Sequence, residues 1–366
     1  MFRERSERVR ARMGELGVDV LLLSVGPDLP YLTGYEAMPL ERLTMLVLPR
    51  EGDATLVIPR LEAPRVVERP EVFAVRTWDE TDDPIAIVAD LVGSAPRAAI
   101  GDRTWARFLV DLQLALPRTS FGRSADVLGP LRACKDAAEV DALRRAGAAA
   151  DRVAAALQAG DVPLVGRTEA EVSADLGRRL LAEGHQRVNF AIVAAGANAA
   201  SPHHEPGERV IQAGEAVLCD FGGTMLGPDG VGYCSDITRC VHLGDPPAEL
   251  AEAYAVLQAA QQAAVAAAVL GTPCEEVDAT ARRIIAEAGW GEHFIHRTGH
   301  GIGIEEHEDP YIVSGNTTPL AAGHAFSVEP GIYVAGRFGF RLEDIVVAAA
   351  DGPDPLNRVD HGLAVV

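Results

Sequence analysis

The sequence predicts two domains: an α/β domain over residues 1–130, and over residues 131–366 an α+β domain built from two similar halves about an approximate two-fold axis. Three observations carry this. A chain of 366 residues exceeds the roughly 100–200 expected of one domain. Helical and strand-like patterns alternate through the first third. The remainder repeats itself: Thr168-Glu169-Ala170-Glu171 and Thr272-Pro273-Cys274-Glu275 lie 104 residues apart, and the same offset maps Arg178-Arg179 onto Arg282-Arg283, Leu180-Leu181 onto Ile284-Ile285 and His203 onto His307. Internal repetition of this kind marks a duplicated supersecondary unit.

In chain order, the charged amphipathic stretch Ser6–Leu16 reads as a helix leading into the apolar run Val18–Ser24. Leu43–Leu48 and Ala54–Ile58 flank the turn-rich Pro49-Arg50-Glu51-Gly52-Asp53, a hairpin signal. Ala98–Ile100 forms another short strand before a second helical stretch. The domain boundary is placed near Gly129-Pro130, because Asp136 and Glu139 then supply a D-x-x-E helix start followed by Val140, Leu143, Val153 and Leu157 at helical spacing. Both T-x-x-E segments read as capping boxes, the second with Pro at the first helical position. Each helix is followed by turn-bounded apolar runs, so the two halves meet in a cleft.

Composition narrows the function. Fifty-three acids against 33 bases give a net charge of −20, which excludes nucleic-acid phosphate as a partner because that interface needs clustered positive charge. No apolar run reaches the ~18 residues of a membrane span, and no hydrophobic leader follows Met1-Phe2-Arg3-Glu4-Arg5. Five cysteines without a C-x-x-C pair encode neither a disulfide framework nor a zinc finger. A cytoplasmic protein is expected.

The chemistry concentrates in the second domain. Ala216–Phe221 and Phe340–Val347 are strand-like apolar runs that nevertheless contain carboxylates. A buried ionised carboxylate costs several kcal/mol unless it is paired or bound to metal. Arg239 and Arg341 cannot neutralise Asp220, Asp236, Glu329 and Glu343 together, whereas two divalent cations can. Oxygen donors with an imidazole or two favour Mn2+, Co2+ or Zn2+. Two such ions bridged by water provide a nucleophile at neutral pH and polarise a carbonyl, which is hydrolytic chemistry.

Pro202-His203-His204, Asp220-Phe221-Gly222, Ser235-Asp236-Ile237-Thr238-Arg239, His296-Arg297-Thr298-Gly299-His300-Gly301-Ile302-Gly303, Val328-Glu329-Pro330-Gly331-Ile332-Tyr333 and Arg341-Leu342-Glu343-Asp344 together resemble the pita-bread (creatinase/aminopeptidase-like) metallopeptidases. With residues 1–130 included, the whole chain resembles a prolidase or aminopeptidase P. Tyr31-Leu32-Thr33-Gly34-Tyr35 is a weaker part of the same likeness. The resemblance implies Asp220, Asp236, His300, Glu329 and Glu343 as ligands of two divalent ions, Mn2+ above Co2+ or Zn2+, with Asp236 and Glu343 bridging. It implies His203 and His307 as non-ligand histidines that contact the substrate carbonyl, and Glu329 as the proton shuttle. Arg341 is assigned to hold the bridging carboxylate or the substrate end. His204, His296 and Arg239 shape the site, and His185, His242, His293, His324 and His361 are ordinary surface or core residues. The implied substrates are short proline-containing peptides cut at the Xaa-Pro bond, and the implied assembly is a homodimer.

Two departures from the family pattern stand out. Asp220 and Asp236 are 16 residues apart, longer than usual, with Met225–Val231 read as a lengthened turn that leaves the ligands in place. Glu305-Glu306 precedes His307 where an apolar residue is commoner at the second position. Where a carboxylate-binding Arg is placed in some short prolidases, four residues after His307, this chain has Tyr311, leaving Arg337 or Arg341 to supply the charge. Other readings fit less well. Glu306 stands where G-x-G-x-x-G needs its last Gly, and no G-x-S-x-G is present. A creatinase-like hydrolase or a non-enzymatic binding relative would lack the ligand set, and a methionine-type aminopeptidase would lack a domain like residues 1–130.

Overall fold

The computed structural model describes residues 1–227 and 229–366 and divides into two units, one of Met1–Arg132 with Asp229–Val231 and one of Ala133–Pro228 with Gly232–Val366. The first unit opens with α1 (Phe2–Leu16), β1 (Val20–Leu23), α2 (Asp28–Thr33), β2 (Met45–Pro49) and β3 (Thr55–Pro59). It continues with β4 (Ala74–Trp78), α3 (Pro84–Val92), β5 (Arg97–Ile100), α4 (Ala106–Ala115), β6 (Ser120–Arg123) and α5 (Ala125–Ala133). Gly129-Pro130 thus lies within α5. The strands form one mixed sheet in the order β4-β3-β2-β1-β5-β6. The expected hairpin is β2 paired antiparallel to β3, turned through Gly52 at φ +99°, a backbone conformation that glycine adopts without penalty. Val20, Leu22, Val47, Val57, Phe108 and Leu112 share its core.

The second unit starts with α6 (Ala137–Gln158), capped by Asp136 in a reciprocal box with Glu139, then α7 (Glu169–Ala182) and the long strands β7 (Arg187–Ala195), β8 (Ala216–Leu226) and β9 (Gly232–His242). After α8 (Ala248–Ala267) and α9 (Cys274–Glu287) come shorter strands: β10 (Gly299–Gly301), β11 (Glu308–Ile312), β12 (Ala325–Val328), β13 (Gly331–Val334), β14 (Phe338–Arg341), β15 (Asp344–Ala349), β16 (Gly352–Pro355) and β17 (Ala364–Val365). Sheets run β17-β9-β8-β7 and β11-β10-β12-β15-β16, with β13 and β14 as a separate pair. Side chains alternate across β7–β9 with period two. Val193, Cys219, Phe221 and Ile237 enter the core shared with α6 and α7, which leaves the opposite face for Ile192, Asp220 and Asp236. Among the described residues, no helix is long and apolar enough to cross a membrane.

The repeat is real, but its helical register differs from the one read in the sequence. Helices α7 and α9 correspond at a shift of 105, not 104: Glu169 matches Cys274 and Ala182 matches Glu287. Flanking backbone bonds agree, since Gly166 and Glu169 donate to Ile211 and Arg209 just as Gly271 and Cys274 donate to Leu320 and Thr318. Thr168 is therefore a working N-cap within a complete capping box, whereas its true counterpart is Pro273, which has no side chain able to cap. The second expected capping box is absent. Thr272 sits one residue too early, and the Glu275 carboxylate instead accepts from Gly315 N.

A second correction concerns Phe340–Val347, expected as one strand. It is broken into β14 and β15, so Glu343 lies in the gap. The Met225–Val231 turn is correspondingly short, because β8 and β9 stay paired out to Leu226–Gly232; its Pro228 lies outside the described residues.

Candidate metal centre

Asp220 on β8 pairs in register with Ile192 on β7 and Thr238 on β9, and Gly222 pairs with Asp236. Both aspartates consequently emerge on one face, two ladder positions apart. A register shift between Val188 and Phe190 marks a bulge, the usual device for re-aiming neighbouring side chains. Asp220 and Asp236 are 7% and 4% exposed, and Oδ1 of each is buried without a hydrogen-bond partner. Such orphaned anionic oxygens are costly in a protein interior, and a cation is what satisfies them.

The second half contributes through irregular backbone. His300 is the middle residue of β10 and is flanked by Gly299 and Gly301; a Cβ on these would lie 1.8 Å from Ser327 O and 2.3 Å from Asp309 O. Only glycine allows the neighbouring strands this close to His300. The His300 backbone N–H donates to Ser327 Oγ at 2.9 Å, and Ser327 Oγ donates to Glu329 Oε1 at 3.0 Å. Glu329 follows β12 and is held by its N–H to Thr298 O, 2.8 Å. Glu343 is bridged to Thr238 and accepts from Thr238 Oγ1 at 2.7 Å.

These side chains line one cavity of about 500 Å3, with His203, His307, Arg341, Phe190, Ile192, Pro202, His296, Arg297 and Glu306. Candidate ligand atoms of Asp236, His300 and Glu343 lie within 4.8 Å of one another. His300 Nε2 is 3.1 Å from Glu329 Oε1 and 3.8 Å from Asp236 Oδ2. Burial, then the charges of Glu343, Asp220 and Glu329, raise the Asp236 carboxyl well above the ordinary range. Glu343 is raised likewise, by burial and then by Glu329 and Asp220. Burial also pushes Glu329 up, but hydrogen bonding and charge from His300, with His296 and Arg341, outweigh it and hold Glu329 at about 2. Acids that burial and mutual repulsion push toward protonation form a site that gains most from a multivalent cation. The His307 ring lies against that of His300, tilted by 49° with centroids 4.0 Å apart, and is pushed down to about 4 by burial and then by His300 and Arg297.

The sequence matches Metallopeptidase family M24 over residues 141–350 and the Creatinase/Prolidase N-terminal domain over residues 5–134. The chain belongs to metallopeptidase family M24. Among solved structures it is similar to dipeptidase PepE from Mycobacterium ulcerans, with 46% identity over 100% of this chain and 98% of that one and a TM-score of 0.93. It is also similar to recombinant prolidase from Thermococcus sibiricus, at 35% identity, 100% and 99% coverage and a TM-score of 0.92. Xaa-Pro dipeptidase from Lactobacillus delbrueckii subsp. lactis is 35% identical over 98% of each chain. The two-domain α/β plus pita-bread architecture expected from the motifs is thereby established.

Within this M24 unit the remaining sequence candidates take varied places. Arg341 is buried at 2% exposure. It donates to Asp220, to Thr238 Oγ1 at 3.1 Å, to Tyr333 Oη at 2.9 Å and to Pro202 O at 3.2 Å, which engages all three guanidinium nitrogens. Arg239 lies apart from the cavity, bonded to Asp344 at 2.8 Å and to backbone carbonyls. His296 reaches Tyr333 Oη at 2.8 Å, and His204 bonds Glu169 at 2.7 Å. Arg337 pairs with Glu249 in the open and is not in the cavity lining. Sequence reasoning passed over Arg297, which lines the cavity, lies 4.5 Å over the Tyr311 ring and forms no ion pair among the described residues. Its position beside His296 in the quoted motif was the available signal.

Proposed function

We propose that this M24 metallopeptidase is an exopeptidase that hydrolyses the Xaa-Pro bond of dipeptides and short peptides. The observation that carries the reading is the convergence of Asp220, Asp236, His300, Glu329 and Glu343 on one cavity, with two buried aspartate oxygens left unsatisfied. These five residues would hold two divalent ions, Mn2+ for preference. When bound, the ions supply Lewis-acid polarisation and an activated water.

The protein's own groups do the rest. Arg341 is a positioning residue: it fixes Asp220 directly and Glu343 through Thr238. His307 and His203, both on the cavity wall, donate to the oxygen that gains charge as the peptide carbonyl becomes tetrahedral. Glu329 moves the proton from the attacking water to the departing prolyl nitrogen. Arg297, the unpaired cation of the lining, receives the prolyl carboxylate, taking the place of the Arg that Tyr311 does not provide; a bidentate guanidinium suits this task. Names of relatives support the Xaa-Pro specificity, since both the Thermococcus prolidase and the Lactobacillus Xaa-Pro dipeptidase align along the whole chain. We further propose a homodimer in a reducing cytoplasm, consistent with five free cysteines; sedimentation as a monomer at micromolar concentration contradicts the dimer.

The test is hydrolysis of Ala-Pro, Ala-Ala and Ala-Pro-Ala by the metal-loaded protein. The expected pattern is rapid cleavage of Ala-Pro, slower cleavage of Ala-Pro-Ala after the first residue, and little of Ala-Ala. Equal cleavage of Ala-Ala and Ala-Pro overturns the proline preference. If Ala-Pro-Ala is cut as fast as Ala-Pro, the aminopeptidase P reading replaces the dipeptidase one.

A further inference from the structure

Seven acidic and guanidinium side chains line the cavity, and five of them are accounted for. Asp220, Asp236, Glu329 and Glu343 face the proposed metal positions, and Arg341 is engaged by Asp220, Thr238, Tyr333 and Pro202. Arg297 and Glu306 remain. Glu306 is half-buried in the cavity wall and forms no ion pair or hydrogen bond among the described residues. A carboxylate in the cavity wall that forms no ion pair leaves its charge available to a cationic ligand.

The two free charges sit against different sheets. Arg297 precedes β10 and lies over Tyr311 of β11. The loop leading to Glu306 meets the other sheet at Cys234 on β9. The loop that carries Glu306 is fastened there, because Cys234 N donates to Gly303 O at 2.8 Å and Cys234 Sγ to Ile304 O at 3.5 Å. Phe190 and Ile192 of β7 line the cavity on this same sheet. An apolar wall ending in an unpaired carboxylate matches a side chain with an aliphatic stem and a cationic head. The anionic prolyl end is repelled by Glu306 and drawn to Arg297, so the opposite charges sort the two ends of the peptide.

From this arrangement we infer that Glu306 selects peptides whose first residue is Arg or Lys. The inference rests on the exopeptidase reading above, since it needs the side chain on the amino side of the scissile bond to enter this pocket. A single charge pair in a part-solvated pocket corresponds to about a tenfold preference, ~1.4 kcal/mol.

The experiment measures kcat/KM of the metal-loaded protein for Arg-Pro, Leu-Pro and Glu-Pro, and for Arg-Ala and Leu-Ala, in the wild type, Glu306→Gln, Glu306→Lys and the neighbouring Glu305→Gln. Calorimetric affinity for the free amino acids L-arginine and L-leucine is measured in parallel. The expected wild-type Arg:Leu ratio is about ten. It should fall to near one in E306Q, invert toward Glu-Pro in E306K and persist in E305Q, and the tighter binding of L-arginine should vanish in E306Q. An unchanged Arg:Leu ratio in E306Q overturns the inference, as does a uniform loss on all five peptides, which assigns Glu306 to the α-ammonium group instead. The Ala series separates the two readings: if Arg-Ala and Leu-Ala are cut as fast as the proline peptides, the proline preference fails while the first-residue ratio still tests Glu306. If no peptide is cut, both fall.

Discussion

In the first half of the M24 unit, Asp220 and Asp236 sit inside the long paired strands β8 and β9, whereas in the second half Glu329 and Glu343 sit in the gaps between β12 and β13 and between β14 and β15. The halves share a helical register and flanking backbone bonds, yet they aim their carboxylates differently. Inside a ladder, the alternation of the pleat sets side-chain direction, so Asp220 and Asp236 need little beyond correct register. Outside one, individual hydrogen bonds must do this: Glu329 depends on Thr298 and Ser327, and Glu343 on Thr238. The longer glutamates suit the second arrangement because their reach compensates for a backbone that is not in regular register.

The strongest test of the comparison is to remove one candidate ligand from each half. Asp236→Asn and Glu343→Gln should both abolish turnover, by at least about three orders of magnitude. Metal analysis of these and of His300→Ala should show less than one equivalent. Full metal content in E343Q with loss in D236N would mean that only the regular half binds metal.

The two candidate non-ligand histidines offer the next test. His307→Ala and His203→Ala should keep their metal while kcat falls about 10²–10³-fold, the usual effect of deleting one donor to a developing oxyanion. Metal loss in H307A equal to that in H300A would show that the split between ligand and substrate contact is misplaced.

Arg341 joins the halves through Asp220 and Thr238 on one side and Tyr333 on the other. Arg341→Met should lower stability by about 3–5 kcal/mol, because it leaves Asp220 buried without its cation. Denaturant titration of the metal-free protein reads this directly, and a loss under about 1 kcal/mol would show that the guanidinium is dispensable to the apo fold.

Helix caps separate the halves more gently. Thr168→Ala should cost about 1 kcal/mol, since it deletes a working N-cap, and Thr272→Ala distinctly less. Equal costs would restore the register of 104 read in the sequence.

The last test concerns pH dependence, where no effect is expected at neutral pH and one appears only in acid. His185 in the first half and His324 in the second are both buried and pushed below the usual histidine range, His185 chiefly by burial and His324 by burial and then Lys135, the latter to about 4. A folded pKa below the unfolded value of about 6.5 means that the unfolded chain binds more protons in this window. The stability from His324 is therefore complete above pH ~6.5 and is lost as pH falls toward 4. In His324→Gln the acid limb of the Tm profile should be shallower, and in His185→Gln less so; an unchanged slope in both contradicts the assignment.

Much of this protein is legible in its sequence. Carboxylates at Asp220 and Glu343 in apolar runs announce themselves because burying an ionised acid is costly without a partner, and that cost follows from residue type alone. The Asp136 and Thr168 caps are equally local, each needing only the few residues that follow. Tertiary structure decided what local pattern cannot encode. Thr272 has the same T-x-x-E pattern as Thr168, but the chain from Asn316 to Leu320 pairs with the residues around it and starts α9 one position later. Glu343 leaves the strand because Thr238, 105 residues earlier, offers a hydrogen bond that no neighbour in sequence supplies. Arg297 and Glu306 show the same limit. Nothing in their immediate sequence marks them as unpaired; only the placing of the other charges around the cavity leaves these two without ion-pair partners among the described residues.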